Sequence, residues 1–261
     1  MLFTFAQFWY ILKAEDFLRK EKKSSARKFF SARTPITPYG SAEADRIQTG
    51  PTPLCRNGGT KLRGILMEIS ELIAASGNEG KIREIQKIFK GARIIPMHEA
   101  GFNEEIEETG SSFRENALIK AKAVSRALGK PALADDSGLC VDFLGGAPGI
   151  YSARFSGEGE KANRELLLRR MKDAHDRSAH FECAVCLYFP DGRMLFGVGR
   201  TDGHILEQEC GKHGFGYDSL FYSDDLSKSF GEATEREKNK VSHRARALKD
   251  LMEKIALLKQ S

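Results

Sequence analysis

The chain has few cysteines and no long apolar run, and each shortage excludes a class of protein. Five cysteines in 261 residues are few and odd in number, which excludes the disulfide framework of a small secreted domain. The apolar N-terminal stretch, residues 1–12, is too short to span a membrane and lacks the basic segment and cleavage site of a secretory signal. We therefore expect a protein of a reducing compartment, the cytoplasm, with no membrane partner.

Positive charge is concentrated at the start of the chain. Residues 1–66 contain 12 Lys and Arg against 5 Asp and Glu, whereas residues 67–261 contain 29 against 31. The second part offers no electrostatic basis for binding nucleic acid, so no nucleic-acid partner is expected. Residues 13–64 are rich in Ser, Thr, Pro and Gly and lack periodicity, which is typical of disorder. We predict that residues 1–66 are a disordered or artefactual extension and that 67–261 form the functional domain.

A C-x-x-C motif, Cys183 and Cys186, lies within the sequence FECAVCLYF, which predicts a strand. Residues three apart on a strand face opposite sides, so these thiols cannot share one ligand. We expect two core or half-buried cysteines and no redox or zinc site.

The most informative stretch is 132–155, ALADDSGLCVDFLGGAPGIYSARF. Its first three residues predict a short strand that ends by delivering Asp135 and Asp136 into a turn. Because strand side chains alternate, only one of the two aspartates is expected to point at a given ligand. An isolated Asp-Asp-Ser-Gly is more often a plain polar turn. The glycines and proline of 144–149 favour either close approach of a ligand or a tight chain crossing.

Elsewhere, strands alternate with helices, which predicts a mixed α/β sheet. We predict strands at 71–75, 94–96, 181–189, 194–198 and 220–222, with a hairpin turn at 190–193. We predict helices after residue 81, from about 112 to 128, at 163–171 and from about 241 to the end of the chain.

Two loops of the chain have the composition of ligand-binding loops. The turn SGNEGK, 76–81, joins a strand to a helix N-terminus, whose free N–H groups and dipole favour an anion, and Lys81 adds a cation. Its spacing is not that of a P-loop, and many strand–turn–helix units begin in this way. The loop GKHGFGYD, 211–218, carries aromatic rings that either stack on a base or anchor the loop to the core.

Acidic residues suggest a divalent cation. The run 103–110 is of a kind that is usually a solvated face, but it includes Glu107 and Glu108, and a second pair of carboxylates stands at 135–136. Carboxylates close to phosphates repel them unless a hard cation lies between, and Mg²⁺ fits this role. A lone His at position 243, near the start of the final helix, is more often a surface or capping residue than a catalyst.

Together these segments resemble the inosine/xanthosine triphosphate pyrophosphatases in their bacterial dITP/XTP form. The matching segments are SGNEGKIREI, EETGSSFRENALIKAKA, ALADDSGLCVDFLGGAPGIYSARFSG, GFGYDSLF and REKNKVSHRARAL, which occur in family order between residue 69 and the C-terminus. The resemblance implies an elongated α/β fold in which helices flank a mixed sheet and two lobes enclose a central cleft. It also implies Mg²⁺-dependent hydrolysis of dITP, ITP, XTP or dXTP to the monophosphate and pyrophosphate, and a homodimer.

The resemblance also assigns roles by motif position. Glu108 and Asp136 would hold the metal, and Asp136 would accept the proton of the attacking water. The phosphates would contact Ser76, Gly77, Asn78, Glu79, Gly80, Lys81 and Lys238. The nucleoside pocket would contain Ser137, Phe215, Gly216, Tyr217, Asp218, His243 and Arg244. Donors such as Arg244 would favour a 6-oxo purine over adenine, which presents an amino donor there.

Two other functions fit the same residues. The first is a related pyrophosphatase for modified pyrimidines or methylated nucleotides, with the same chemistry and a different pocket. The second is a nucleotide-binding regulator without turnover. A nucleic-acid-binding role would depend only on the basic extension.

Overall fold

The structure is a computed structural model that describes residues 70–89 and 92–260. The predicted extension, residues 1–66, lies outside the described residues, and the domain boundary at residue 67 therefore stays a prediction.

Within the described residues, seven strands form one mixed sheet. They are β1 (Glu71–Ala74), β2 (Arg93–Pro96), β3 (Ala132–Val141), β4 (Ser178–Tyr188), β5 (Met194–Ile205), β6 (Phe221–Ser223) and β7 (Lys228–Ser229). Their spatial order is β2-β1-β3-β4-β5-β6-β7. Strand β1 runs parallel to β2 and β3, and all later neighbours pair antiparallel.

The helices are α1 (Glu79–Ile88), α2 (Phe113–Leu128), α3 (Glu160–Arg170), α4 (Glu235–Val241) and α5 (His243–Gln260). Asn78 and Ser112 cap α1 and α2, since each side chain accepts a hydrogen bond from a first-turn backbone N–H. Gly129, at φ 63°, ends α2 in the left-handed conformation. The predicted long final helix is confirmed as α5, which begins at His243. The short helix α4 precedes it, and Ser242, extended at ψ 151°, separates the two.

Helices cover both faces of the sheet around β1, β3 and β4. Helices α1 and α5 bury one face, with Ile85 and Leu248 against Leu133. Helix α2 buries the other, with Ala117 against Ala134. The predicted fold class, a mixed sheet flanked by helices, is confirmed.

A second apolar cluster lies farther along the α1/α5 face of the sheet. It combines Leu139 of β3 and Phe181 of β4 with Leu167 of α3. Between this cluster and the first, β3 presents the polar side chains of Asp135 and Ser137 on the same face, because alternate strand residues share a face. The two apolar clusters therefore flank a polar strip.

The prediction that β3 ends before the two aspartates is wrong. The strand has ten residues, and Asp135 and Asp136 pair in register with Val185 and Ala184 of β4. Carboxylates remain in this buried strand because cationic side chains neutralise them from both faces of the sheet.

Strand β5 is also longer than predicted, and it continues to Ile205. Three glycines interrupt its side-chain pattern at 197, 199 and 203 and conceal its length in the sequence. A Cβ on Gly197 would lie 2.1 Å from the Ala247 carbonyl oxygen, so glycine is needed where α5 packs closely on the strand.

The prediction that the two cysteines of the C-x-x-C motif belong to the core is confirmed. Cys183 and Cys186 are free and fully buried, and they belong to the apolar clusters on opposite faces of the sheet. In the part of the chain that the structure describes, no helix has the length and apolar character needed to cross a bilayer.

Candidate active site

Adjacent aspartates on β3 face opposite sides of the sheet, as strand alternation predicted. Asp135 contacts residues of α1 and α5, and Asp136 contacts residues of α2. They therefore form the centres of two charged clusters, which we call the Asp135 cluster and the Asp136 cluster.

In the Asp135 cluster, one carboxylate oxygen accepts bonds from several cations. Arg244 donates to Oδ2 from Nε and Nη2, at 3.1 and 3.0 Å, and Lys81 Nζ lies 3.2 Å from the same oxygen. Ser137 links the pair, because its hydroxyl donates to Asp135 and accepts from Arg244. Burial alone would raise the pKa of Asp135, but Lys81 and Arg244 hold it far below its ordinary value.

Glu84 of α1 extends this cluster and was not predicted from the sequence. It accepts from Arg244 Nη1 and, at 2.9 Å, from Lys238 Nζ. Lys238 also donates to Asp218 at 2.6 Å. Arg244 is 1% exposed and Lys238 is 4% exposed, so these ion pairs lie almost out of contact with solvent. Three carboxylates and three cations are gathered here, which leaves little net charge to bury.

Lys120 of α2 organises the Asp136 cluster. Its ammonium donates to Glu108 Oε1 at 2.6 Å and to Asp136 Oδ1 at 3.2 Å. Asn116 donates to the other oxygen of Asp136 at 3.1 Å, and Arg154 donates to the other oxygen of Glu108 at 3.1 Å. The structure therefore brings Glu108 and Asp136 within hydrogen-bond distance of one cation. Glu108 is half-buried, unlike the exposed Glu107 beside it, so the acidic run is not uniformly a solvated face.

The two carboxyls of this cluster differ in their pKa. Burial raises the pKa of Asp136, and the nearby charge of Glu108 adds to this, although Lys120 and Lys81 oppose it. Burial also acts to raise the pKa of Glu108, but the charge of Lys120 outweighs it, so this pKa lies below its ordinary value. Asp136 is 5% exposed, and a buried carboxyl with a raised pKa is typical of a proton acceptor.

The turn 76–81 has the arrangement predicted for an anion site, with a helix beginning at Glu79. Asn78 caps α1 by accepting from Lys81 N at 3.1 Å, and Ser76 Oγ accepts from Asn78 N at 3.2 Å. Gly77 leaves open space at its Cβ position. Gly80 is pressed against the Phe215 ring, since a Cβ there would lie 2.9 Å from Cδ1.

The loop at 215–218 reaches this turn, and its aromatic residues have different positions. Tyr217 is 4% exposed, and its hydroxyl donates to the Ser152 carbonyl, so this ring anchors the loop to the core. Phe215 is only half-buried, with Lys238 Nζ 4.7 Å from its ring centroid. Gly216 N donates to Glu160. The sequence left open whether the rings of this loop stack on a base or anchor the loop to the core, and Tyr217 anchors it.

His243 is 4% exposed, so the expectation of a surface or capping histidine is wrong. Its ring stacks on Phe181, with centroids 4.7 Å apart. Burial, followed by the charges of Arg244 and Lys238, holds the pKa of His243 well below its ordinary value, so the ring is neutral.

A cavity of about 240 Å³ opens beside these groups. It is lined by Gly80 and Glu84 of α1, Phe215 of the glycine loop and Lys238 of α4. The lining therefore combines aromatic rings with charged side chains, which suits a flat heterocycle with polar edges.

Sequence reasoning missed Glu84, Asn116 and Lys120, although helical spacing contains a signal for each. Asn116 and Lys120 lie three and seven residues after Phe113, so they share its buried face of the helix, and Glu84 lies three residues after Lys81. A polar side chain on the buried face of a helix indicates that it has a buried partner.

The paired acids fit a hard cation. Glu108 and Asp136 offer only oxygen donors, and the contact of each with the Lys120 ammonium shows that they converge on a site for positive charge. Mg²⁺ prefers this donor chemistry.

Comparison with known proteins gives the class to which this fold and site belong. The model of the Ham1 family matches residues 72–254, which is most of the chain, and the chain belongs to that family. The matched range includes both charged clusters and the whole sheet except residue 71.

Named relatives are similar over nearly their whole length. The chain is 45% identical over 189 residues to the dITP/XTP pyrophosphatase of Bacillus subtilis, covering 70% of this chain and 96% of that protein. It is 46% identical over 185 residues to the dITP/XTP pyrophosphatase of Treponema denticola, covering 68% and 94%. The solved structure of the Staphylococcus aureus Ham1 protein matches with a TM-score of 0.65 and 39% identity, covering 73% of this chain and 98% of that one.

Proposed function

We propose that this chain hydrolyses non-standard purine nucleoside triphosphates, dITP, ITP, XTP or dXTP, to the monophosphate and pyrophosphate, and so removes them from the nucleotide pool. The names of the relatives support this substrate class. The observation that carries the proposal in this chain is the convergence of Glu108 and Asp136 on one cation-binding point beside the Lys81 turn.

Asp136 is the proposed proton acceptor for the attacking water. Its raised pKa makes it a better base than an ordinary aspartate, and its Oδ2 is held in place by Asn116. Lys120 keeps Asp136 and Glu108 at a fixed separation and compensates their charge. The chain's own residues thus orient the base before substrate arrives.

Glu108 and Asp136 are the residues that would hold Mg²⁺, as their donor set allows. Bound Mg²⁺ supplies charge neutralisation at the phosphate oxygens and a lower pKa for bound water.

The phosphate chain is proposed to lie on the turn 76–81. The N-terminal end of α1 attracts anions, and Lys81, 17% exposed at its side chain, is the cation there that is best placed to exchange Asp135 for a phosphate. Lys238 is more deeply buried and holds two carboxylates, so its proposed phosphate contact requires one of them to be released.

The purine is proposed to occupy the cavity beside Phe215, which can stack on a base. Arg244 donates to Asp135, Ser137 and Glu84 in this structure. Its predicted preference for a 6-oxo group remains part of the proposal.

A substrate panel tests the proposal. Purified protein with Mg²⁺ is offered dITP, XTP, dATP, dGTP, dUTP and a modified dTTP, and pyrophosphate release is measured. We expect kcat/KM for dITP and XTP to exceed that for dATP by at least about 10²-fold, because a donor site leaves the adenine amino group unsatisfied. A preference for the pyrimidines would favour the related pyrophosphatase, and absence of turnover with retained binding would favour the regulator.

We further propose a cytoplasmic homodimer. Free thiols at Cys140, Cys183, Cys186 and Cys210 support a reducing location. Light scattering on the purified chain measures the mass, and a monomer at micromolar concentration would contradict the dimer.

A further inference from the structure

A second cluster of ligand-type side chains lies outside the two charged clusters. Among the described residues, Cys140, His180 and Glu182 each place one potential metal-binding atom within 4.8 Å of the other two. We propose that they form a binding site for a borderline-soft divalent cation, Zn²⁺, that is separate from the Glu108–Asp136 site.

Sheet register explains why the three side chains meet. Cys140 of β3 pairs directly with His180 of the antiparallel strand β4, so the two side chains share a face. Glu182 follows His180 by two residues and therefore lies on that face as well. The backbone of two long strands fixes the positions, so little ordering is needed when a metal binds.

Thiolate, imidazole and carboxylate together are the donor set that zinc uses. Zn²⁺ accepts Cys sulfur, His nitrogen and Glu oxygen in tetrahedral sites, and three protein ligands leave a fourth position for water or another oxygen. The Asp142 carboxylate lies 3.9 Å from His180 Nδ1, too far for a hydrogen bond but near enough to be a candidate for that oxygen. Mg²⁺ prefers oxygen ligands alone and is a poor match for this set.

Burial at the cluster grades from covered to partly open. Cys140 is 9% exposed and packs near Phe113 and Ala184, whereas Glu182 is partly exposed. His180 Nδ1 is buried without a hydrogen-bond partner among the described residues. A metal can therefore enter from the Glu182 side, and a polar nitrogen that lacks a hydrogen-bond partner is already present.

The site is distinct from the candidate active site. Cys140 follows Asp136 by four residues on the same strand, which corresponds to about 13 Å.

Arg200 pairs with Glu182 across β4 and β5 and donates to Asp202 at 2.7 Å, so one cation already lies near the cluster. Its charge opposes the metal and is expected to limit the affinity.

Cobalt(II) titration of the full chain tests the proposal. The protein is first treated with chelator, and excess Mg²⁺ is then added to occupy carboxylate sites. We expect a near-ultraviolet thiolate-to-cobalt band that saturates at one equivalent and is displaced by Zn²⁺. Cys140→Ser should abolish the band, and His180→Gln and Glu182→Gln should weaken binding by at least about tenfold. Arg200→Gln should strengthen metal binding, because it removes the charge that opposes the metal.

Matched controls assign the band to this cluster. Cys210→Ser removes another free thiol of the described residues, and Cys55→Ser removes a cysteine that lies outside them; both variants should keep the band. His180→Gln and Glu182→Gln change partly exposed side chains, and thermal unfolding of each variant verifies its fold. Absence of the band in the wild-type protein, or its survival in folded Cys140→Ser, would overturn the proposal.

Discussion

Asp135 and Asp136 are neighbours in sequence but occupy opposite electrostatic environments. Four donors surround one oxygen of Asp135, which belongs to a network of buried ion pairs, and its pKa is far below the ordinary value. Asp136 has one ammonium and one amide as donors, and its pKa is raised. Strand alternation alone places the two carboxyls in these different surroundings.

We expect the two aspartates to have different roles: Asp135 stabilises the fold, and Asp136 takes part in the reaction. A carboxylate whose charge is fully compensated is a poor base, and removing it leaves its buried cations unpaired. A carboxyl whose ionisation is disfavoured accepts a proton more readily. Its replacement by an amide leaves Lys120 paired with Glu108, so a smaller loss of stability is expected. The aspartate pair can therefore be tested by changing one member at a time.

Asp136→Asn is expected to have the largest effect on activity. The amide keeps a hydrogen bond to Asn116 but cannot accept a proton, so kcat should fall by about 10²–10⁴-fold. Steady-state pyrophosphate release measures the loss, and Glu107→Gln, an exposed neighbour of Glu108, serves as the control. Activity within tenfold of wild type would remove Asp136 from the role of base.

Asp135→Asn should reverse the pattern and damage stability. Arg244 and Lys81 would lose their shared counter-charge within a buried network, at a cost of about 3–5 kcal/mol in the free energy of unfolding. Urea unfolding of the two asparagine variants gives a direct comparison. Equal stability of the two would contradict the assignment of Asp135 to the scaffold.

Lys120→Met gives a smaller and more specific effect. The ammonium lowers the pKa of Asp136, so its removal raises that pKa further. A general base is active when ionised, and the acid limb of the kcat/KM profile should therefore move to higher pH. Lys122→Met, on the same helix, is the matched control and should leave the limb in place. An unmoved limb in Lys120→Met would show that the limb reports another group.

Much of the fold could be predicted because its signals are local. The apolar stripe of α2, its Ser112 cap and its Gly129 stop each depend on neighbouring residues, and they predicted that helix closely. Strand β3 was predicted too short because its polar centre resembles a turn. Only cations from distant segments, such as Arg244, make those carboxylates compatible with a buried strand.

The sequence motifs indicate candidate residues of the site, but they do not indicate which of these residues contact each other. The sequence indicated Glu108 and Asp136 through family resemblance, and the structure places both on Lys120. Glu84 and Arg244 are 160 residues apart, and no local pattern announces their contact. Contacts between residues far apart in the chain depend on the fold, and local sequence patterns do not reveal them.

The glycines of β5 have a consequence for the evolution of the pocket. A Cβ on Gly199 would lie 2.1 Å from the carbonyl oxygen of His243, at the first residue of α5. The absence of a side chain at Gly199 lets the first turn of α5 pack closely on β5, and this packing determines the position of the Arg244 guanidinium. A single methyl on β5 is thus expected to displace Arg244 while Arg244 and all of its partners stay the same.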